Sequence, residues 1–301
     1  MEQKTKRPKS FSKILEETGA LYPKRRFLIQ KLQEEEKFKD KKIVTFFTSF
    51  KYPVNIEDQD AILIEEVLIN TDLTNKGLLL VLNSPGGSAL AAERIINVCR
   101  KYSNDNFEVL VPNKAKSAAT MICFGSNKIW MSSTSELGPI DPQTFINVNN
   151  QMERVGMTYI VENYDQLFKK ACECKERIEP FIQQLGRFDS RLIEEYRAVL
   201  ALSPDIAIKS LKKGMMSSIS ENQVKKDIKP FLKPQETKVH GRPIFIEQAK
   251  RCKLNIEEID IKSDIWQSVW DLFLRTDNIV NNRCAKIVES DEDEYFIFAP
   301  K

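Results

Sequence analysis

The chain has 301 residues and a mass of 34.8 kDa, and 42% of its residues are hydrophobic, enough to bury a substantial core in one large domain or in one domain with extensions. Its 46 basic and 43 acidic residues leave a net charge of +3, which gives no general electrostatic case for binding nucleic acid. The six cysteines form no pair of CxxC units and there is one histidine, so we expect no metal site.

The sequence shows no signal for export or membrane insertion. Its N-terminus is basic but lacks the apolar stretch of a signal peptide. No run of about 18 apolar residues, the length of a membrane-spanning helix, occurs anywhere. Together with the cysteine usage, these features predict a soluble protein of a reducing compartment, the cytoplasm.

Residues 1–40 are dominated by Lys, Arg, Glu and Gln, which predicts a polar helical extension rather than a part of the core. Its thin apolar stripe consists of Phe27, Leu28 and Leu32.

Strand-like and helix-like segments alternate through residues 41–150. The first strand is predicted from Lys42 to Phe50, where β-branched and aromatic residues dominate. The continuous apolar run GLLLVLN, from Gly77 to Asn83, is typical of a strand that is covered on both faces. Further strands are predicted at residues 107–112 and 128–131, with helices between them. This pattern predicts βαβ units with parallel strands and therefore an α/β fold.

Two short segments of small residues interrupt this pattern. In SPGGS, Gly86 and Gly87 can direct backbone N–H groups at a ligand or can simply make a turn. In AKSAAT, Ser117 stands at the start of a predicted buried helix. It is either an N-cap, which contributes about 1 kcal/mol, or a nucleophile assisted by the helix N-terminus. Neither segment is specific by itself.

Taken together and in order, the segments NSPGGS, AKSAATM and MSSTSELGPIDPQ resemble the Clp protease and crotonase superfamily. They are more similar to the signal peptide peptidase A-like serine proteases, in particular to the serine dehydrogenase proteinase family. The resemblance extends from about Arg25 to Gln143 and continues more faintly to about Leu274. It implies a Clp protease/crotonase-like spiral of βαβ units with a helical C-terminal extension.

The same resemblance implies roles for residues at a site. Ser117 matches the nucleophile of the family. Gly86 and Gly87 match the loop that supplies the N–H groups of the oxyanion hole, and the N–H of Ala118 is expected to be a further donor.

The general base stays open between a lysine and a histidine. The histidine of the Clp protease subunit has no counterpart around residues 138–141. The signal peptide peptidase A branch pairs serine with lysine, which indicates Lys169, or Lys170 or Lys175 on the same predicted helix. His240 precedes a Pro-Ile pair, as in the serine dehydrogenase proteinases, and is either the base or a residue of the turn before the next helix.

Three other polar residues lie close to Ser117 in the predicted site. Asp141 could orient a base, but an aspartate before proline more commonly stabilises a turn. Lys114 and Lys116 flank Ser117, yet neighbouring side chains at a helix entry diverge, and contact with a peptide or a neighbouring subunit is an equal alternative.

Residues 151–285 predict mainly helices that pack on the core or on a neighbouring protomer, with loop signals at Gly186 and at Ser203 and Pro204. Within SDIWQSVWDLFLR, one face is apolar and is predicted to belong to the core, with docking to a partner or a membrane surface as the alternative. That face consists of Trp266, Val269, Trp270 and Phe273. Residues 286–301 are acidic and then aromatic, and they form a tail or an added edge strand.

These features predict a serine endopeptidase that needs no cofactor and no metal, acts on peptide or protein substrates, and forms a homo-oligomer. Nucleic acid is not an expected partner, and association with a membrane surface is not indicated. Two alternatives stay open: a catalytically inactive scaffold with the same fold, and an acyl-CoA-binding crotonase-like enzyme in which the glycine loop stabilises a thioester enolate.

Overall fold

The computed structural model describes residues 22–148, 151–174, 177–232 and 243–298. Its central sheet consists of β1 (Lys41–Thr48), β2 (Gly77–Asn83), β3 (Phe107–Val111), β5 (Lys128–Met131), β10 (Ile256–Glu258), β11 (Lys286–Glu289) and β12 (Glu294–Ile297). The seven strands lie in the order β10-β5-β3-β2-β1-β11-β12. The first five are parallel, whereas β11 pairs antiparallel with both β1 and β12.

Strand β2 explains why helices cover both faces of this sheet. All of its residues are buried. Leu80 and Leu82 pack into one hydrophobic cluster, whereas Leu79 and Val81 pack into another on the opposite face. Successive side chains of a strand point to opposite faces, so a continuous apolar run is what a strand between two helical layers requires. The predicted α/β class with parallel βαβ units is confirmed.

The helices are α1 (Tyr22–Glu34), α2 (Asp58–Asn70), α3 (Ala89–Tyr102), α4 (Ala118–Phe124), α5 (Met157–Glu173), α6 (Glu179–Leu185), α7 (Ser190–Lys213), α8 (Glu221–Asp227), α9 (Lys229–Leu232), α10 (Ile246–Arg251) and α11 (Asp264–Asn282). One face of the sheet packs against α2, α3 and α4, with α7 behind them. The other face packs against α1 and α11. None of the helices in the described part of the chain is both long enough and apolar enough to cross a membrane.

Two smaller sheets accompany the central one. In the first, β4 (Lys114–Ala115) pairs parallel with β6 (Glu136–Leu137), which pairs antiparallel with β9 (Ile244–Phe245). In the second, β7 (Gln143–Val148) and β8 (Gln151–Gly156) form an antiparallel hairpin. This hairpin lies across the boundary that the sequence predicts at residue 150.

The predicted helical region, residues 151–285, contains helices α5 to α11 and also the short strands β8, β9 and β10. The loop expected at Ser203 and Pro204 is wrong, because α7 continues through Pro204. Ser203, Ile206 and Ala207 are buried against the core on this helix. Their burial outweighs the one backbone hydrogen bond that a proline removes.

Segments near both ends of the described chain join the core, since α1 and α11 pack on one face of the central sheet and β11 and β12 extend the sheet itself. In α1 the buried residues are Arg25, Leu28, Ile29 and Leu32, whereas Phe27, predicted in the apolar stripe, is 63% exposed. In α11, Trp266, Val269 and Phe273 are buried and Trp270 packs half-buried against the same cluster, which confirms the predicted core face. Of the predicted tail, residues 286–289 form β11 and residues 294–297 form the edge strand β12.

Candidate active site

The glycine loop, residues 84–88, connects β2 to α3 and is fixed to strand β4. Ser84 N–H donates to Lys114 O (3.0 Å), and Lys116 N–H donates to Ser84 O (3.0 Å). The side chain of Asn83 accepts from Lys114 N–H (3.1 Å). At its other end, Ser88 Oγ caps α3 by accepting from Ala91 N–H. These bonds hold the loop beside the segment that leads to Ser117.

Both glycines of the loop are required by their surroundings. Gly86 has φ of 100°, a conformation that side chains rarely adopt. A Cβ on Gly86 would lie 2.8 Å from Ser117 Cβ and 3.0 Å from Ala118 N. Gly87 forms a bridge with Ile56, and a Cβ there would lie 2.8 Å from Ile56 Cα and closer still to its backbone N and O. The loop therefore approaches the serine and the chain at Ile56 within distances that only glycine permits.

Ser117 occupies the sharp turn between β4 and α4. Its φ of 51° and ψ of −119° correspond to the first central position of a type II′ turn, where glycine is the usual residue. Its side chain makes no capping hydrogen bond, so the N-cap alternative for this serine is not observed. A serine on a strained strand-to-helix turn is also how α/β-hydrolases expose their nucleophile, on an unrelated fold.

Three backbone N–H groups were predicted to form the oxyanion hole. The Gly86 N–H donates to Ser84 Oγ (3.1 Å). The N–H groups of Gly87 and Ala118 have no acceptor among the residues that the structure describes. Ala118 N–H belongs to the first turn of α4, where helix N–H groups lack an intrahelical partner. Gly87 and Ala118 thus offer donors for an incoming oxygen, whereas the Gly86 N–H is already used.

The structure describes two of the four candidate bases, Lys169 and Lys170. Lys169 lies on α5 and its side chain is 75% exposed, with Nζ 3.8 Å from Glu173 Oε1. Lys170, on the same helix, is also exposed. Lys175 and His240 lie outside the described residues. The first described strand after residue 240 in the sequence is β9, which begins at Ile244 and pairs with β6.

Asp141 is buried and connects the Gly-Pro turn to helix α5. Its Oδ1 accepts a hydrogen bond from Thr158 Oγ1 (2.8 Å), at the start of α5. A Cβ on Gly156 would lie 2.9 Å from Asp141 Oδ2, so the chain at the N-terminus of α5 passes directly over the carboxylate. These contacts join Asp141 to the start of α5, and the two roles expected from the sequence stay predictions.

Two contacts at this site are not predicted by the sequence. Thr120 Oγ1 lies within hydrogen-bonding distance of Ala115 O (2.8 Å) and Gly138 O (2.9 Å). It therefore connects α4 to the end of β4 and to the residue that follows β6. Lys116 Nζ lies 2.9 Å from Glu136 Oε1 and 3.2 Å from Leu137 O. Burial lowers the pKa of Lys116, and its bond to Glu136 opposes that shift. The strands that bring these groups together have two residues each, too short for a periodic signal.

Residues 33–162 match the family model of the ClpP-like SDH-type serine proteinases. This match confirms the predicted resemblance for the part of the chain that carries the glycine loop, Ser117 and Asp141.

Two curated proteins are also similar to part of this chain. They are uncharacterized proteins of Methanocaldococcus jannaschii, MJ0137 and MJ1495, which are 34% and 31% identical to it over 90 residues. Each alignment covers 30% of this chain and 30% of the relative, so the chain spans less than a third of the curated relatives' length.

Two solved structures of the 1510-N membrane-bound stomatin-specific protease are also similar. The first, a serine-to-alanine mutant, is 18% identical, with a TM-score of 0.30 over 68% of this chain and 92% of that chain. The second, a lysine-to-alanine mutant in complex with a substrate peptide, is 19% identical, with a TM-score of 0.29 over 73% and 93% of the two chains. At such TM-scores the likeness supports no inference about this chain.

Proposed function

We propose that the protein is a serine peptidase that hydrolyses peptide bonds through an acyl-enzyme on Ser117. The observation that carries this proposal is the strained turn at Ser117, whose side chain does not cap the helix that it precedes. Strained residues cost about 1–3 kcal/mol and persist at sites where their geometry serves function. The family match over residues 33–162 supports the same reaction class.

In the proposed reaction, Ser117 Oγ attacks the carbonyl carbon of the scissile bond while its proton passes to a general base. The resulting oxyanion accepts hydrogen bonds from Gly87 and Ala118 N–H. Collapse of this intermediate breaks the C–N bond, and the leaving amine takes the proton from the base. A water molecule then attacks the ester, and the enzyme returns to its starting state with a carboxylate product.

The base in this scheme is Lys169 or His240. A histidine or a desolvated, neutral lysine can accept the serine proton, and the Lys169 side chain is exposed beside Glu173. Lys169 can serve only if substrate or a second subunit covers α5. Histidine is a common general base that does not need to be desolvated for this role, and His240 is therefore the alternative.

The test is labelling by a fluorophosphonate probe, in which Ser117 Oγ displaces fluoride from phosphorus. The wild type should be labelled, and Ser117→Ala should lose labelling and peptide cleavage together. The exposed Ser133 provides the matched control, and Ser133→Ala should be labelled like the wild type. Labelling that persists in Ser117→Ala would place the nucleophile elsewhere, and an unlabelled wild type would favour the scaffold or the acyl-CoA enzyme.

The same assay separates the two bases. Lys169→Ala and His240→Ala are each compared with the wild type across pH 5 to 9, and the base is the residue whose loss abolishes labelling. If both variants are still labelled, neither Lys169 nor His240 is the general base.

We also propose a homo-oligomer that acts on peptide or protein substrates in the cytoplasm. A helical layer formed by α5, α6 and α7 leaves Phe168, Ile182 and Leu192 exposed, a surface that a second copy could cover. Sedimentation velocity of the full chain tests the assembly, and a monomer at all concentrations would contradict it.

A further inference from the structure

Lys116, the residue before Ser117, is held by three different elements. Its N–H donates to Ser84 O (3.0 Å) in the glycine loop, and its C=O accepts from Ala119 N–H (2.9 Å) in the first turn of α4. Its side chain crosses to β6, where Nζ contacts Glu136 Oε1 (2.9 Å) and Leu137 O (3.2 Å). The glycine loop and helix α4, which begins directly after Ser117, therefore meet at this residue.

The side chain of Lys116 is enclosed rather than free in solvent. Its exposed fraction is 18%, and that of Glu136 is 15%. The aliphatic stem lies over Gly138, where an added Cβ would be 3.2 Å from Lys116 Cα and closer still to its Cδ. An ion pair in such surroundings is less screened than one at the surface, and it fixes the side chain in one position.

A strained turn needs contacts that prevent it from relaxing. Ser117 lies in a backbone conformation that glycine prefers, and relaxation of φ towards negative values would shift its Oγ relative to the N–H groups of Gly87 and Ala118. Lys116, whose side chain bridges to β6, is the residue directly before the φ angle of Ser117. It resists that rotation because β6 is held by its pairing with β9 and is joined to β4 by the bond from Gly138 N–H to Ala115 O (3.0 Å).

We propose, building on the proposed peptidase function, that Lys116 is a positioning residue that holds Ser117 in register with the oxyanion donors through its bridge to Glu136 and Leu137 O. Lys116 does not itself take the serine proton. Its Nζ already contacts a carboxylate and a carbonyl oxygen, and both contacts favour the protonated form against the lowering of its pKa by burial.

Three variants test this role: Lys116→Met, Lys116→Arg and Lys212→Met. Methionine keeps the length and the packing over Gly138 but cannot bridge to β6. Arginine restores the donors and the charge, yet it cannot act as a base. Lys212 serves as the matched control because its Nζ also bonds to backbone carbonyls, those of Ser217 and Ile219, in a loop that follows α7.

The readouts are the rate constant of fluorophosphonate labelling, its pH profile, and the midpoint of thermal unfolding. Lys116→Met should label about 10–100-fold more slowly with an unchanged pH midpoint, because a displacement of about 1 Å costs this much rate. Lys116→Arg should label within about threefold of the wild type. Lys212→Met should lower the unfolding midpoint but leave the labelling rate unchanged.

Two results would overturn the inference. If Lys116→Met labels at the wild-type rate, the bridge does not position Ser117. If Lys116→Arg is as slow as Lys116→Met and the pH midpoint shifts, the lysine acts as a base instead. Failure of the proposed peptidase function is distinguishable from both, since the wild type itself would then show no labelling that depends on Ser117.

Discussion

Gly86 and Ser117 approach each other so closely that a Cβ atom on the glycine would lie 2.8 Å from the Cβ of the serine. The added atom would lie closer still to the carbonyl oxygen of Lys116, a backbone atom that cannot rotate away. Gly86→Ala should therefore push the loop away from the turn. We expect labelling of Ser117 to slow at least about 10-fold and the free energy of unfolding to fall by about 1–3 kcal/mol.

Labelling kinetics and urea denaturation measure the two effects of Gly86→Ala. Gly186→Ala is the control, because the nearest atom to a Cβ at Gly186 is 3.4 Å away and its φ is −62°. That variant should keep the labelling rate and be equally stable or up to about 1 kcal/mol more stable. Equal labelling in Gly86→Ala and the wild type would contradict the close approach.

The strain at Ser117 predicts an unusual order of stabilities. Glycine there relieves about 1–3 kcal/mol of backbone strain and loses up to about 1 kcal/mol through the entropy of the unfolded chain. Ser117→Gly should thus be more stable than Ser117→Ala by about 1 kcal/mol, as measured by chemical denaturation. At Ser133, which is not among the residues with positive φ, the order should reverse. A glycine variant at Ser117 that is less stable than the alanine variant would show that the turn is unstrained.

A buried ion pair at the other end of the sheet predicts a pH-dependent stability. Arg25 Nε lies 2.7 Å from Glu289 Oε2, and both side chains are almost completely buried. Burial raises the pKa of Glu289, and the charge of Arg25 opposes this rise. Arg25→Met should remove that opposition and cost about 3–5 kcal/mol at pH 8, because a charged carboxylate is left without its partner.

The cost of Arg25→Met should be smaller at pH 5 than at pH 8. The pKa of Glu289 in the folded protein lies above the ordinary carboxyl range of about 4 to 4.5. Between the two values the native state holds a proton on Glu289 that the unfolded state has lost, so the free energy of unfolding falls as pH rises through the raised pKa. Urea denaturation at the two pH values measures this difference. Adding Glu289→Gln to Arg25→Met should abolish the pH dependence, and a cost of Arg25→Met that is the same at both pH values would contradict it.

The strands of the parallel core could be predicted closely because burial on two faces leaves a strong local signal. The limits of β2 and β5 agree with the sequence prediction, and each is an apolar run followed by small polar residues. The role of β11 could not be predicted in the same way. Its four residues carry no periodicity, and its place beside β1 depends on distant partners such as Asp60, which binds Lys286.

At the candidate site, the sequence order of the glycine loop and Ser117 was informative, whereas their geometry was not. A motif reveals which residues follow each other, but the positive φ of Ser117 results from how β4 and α4 are anchored. Tertiary structure likewise determines the hydrogen bond from Gly86 N–H to Ser84 Oγ and the ion pair between Lys116 and Glu136. Such contacts join residues from separate segments, and no local pattern encodes them.

The position of β11 also has a consequence for how the chain is made. Strand β1 is bonded on one side to β2 and on the other to β11, and the bond from Lys286 to Asp60 joins residues 226 positions apart. Until the ribosome has released almost the whole described chain, one edge of β1, with its run of valine, isoleucine and phenylalanine, has no strand to pair with. An unpaired strand edge can form β-sheet hydrogen bonds with other nascent chains. Pairing of β1 with β11 is slow because the two strands are far apart in the sequence. Newly synthesised copies should therefore depend on chaperones more than their finished stability suggests.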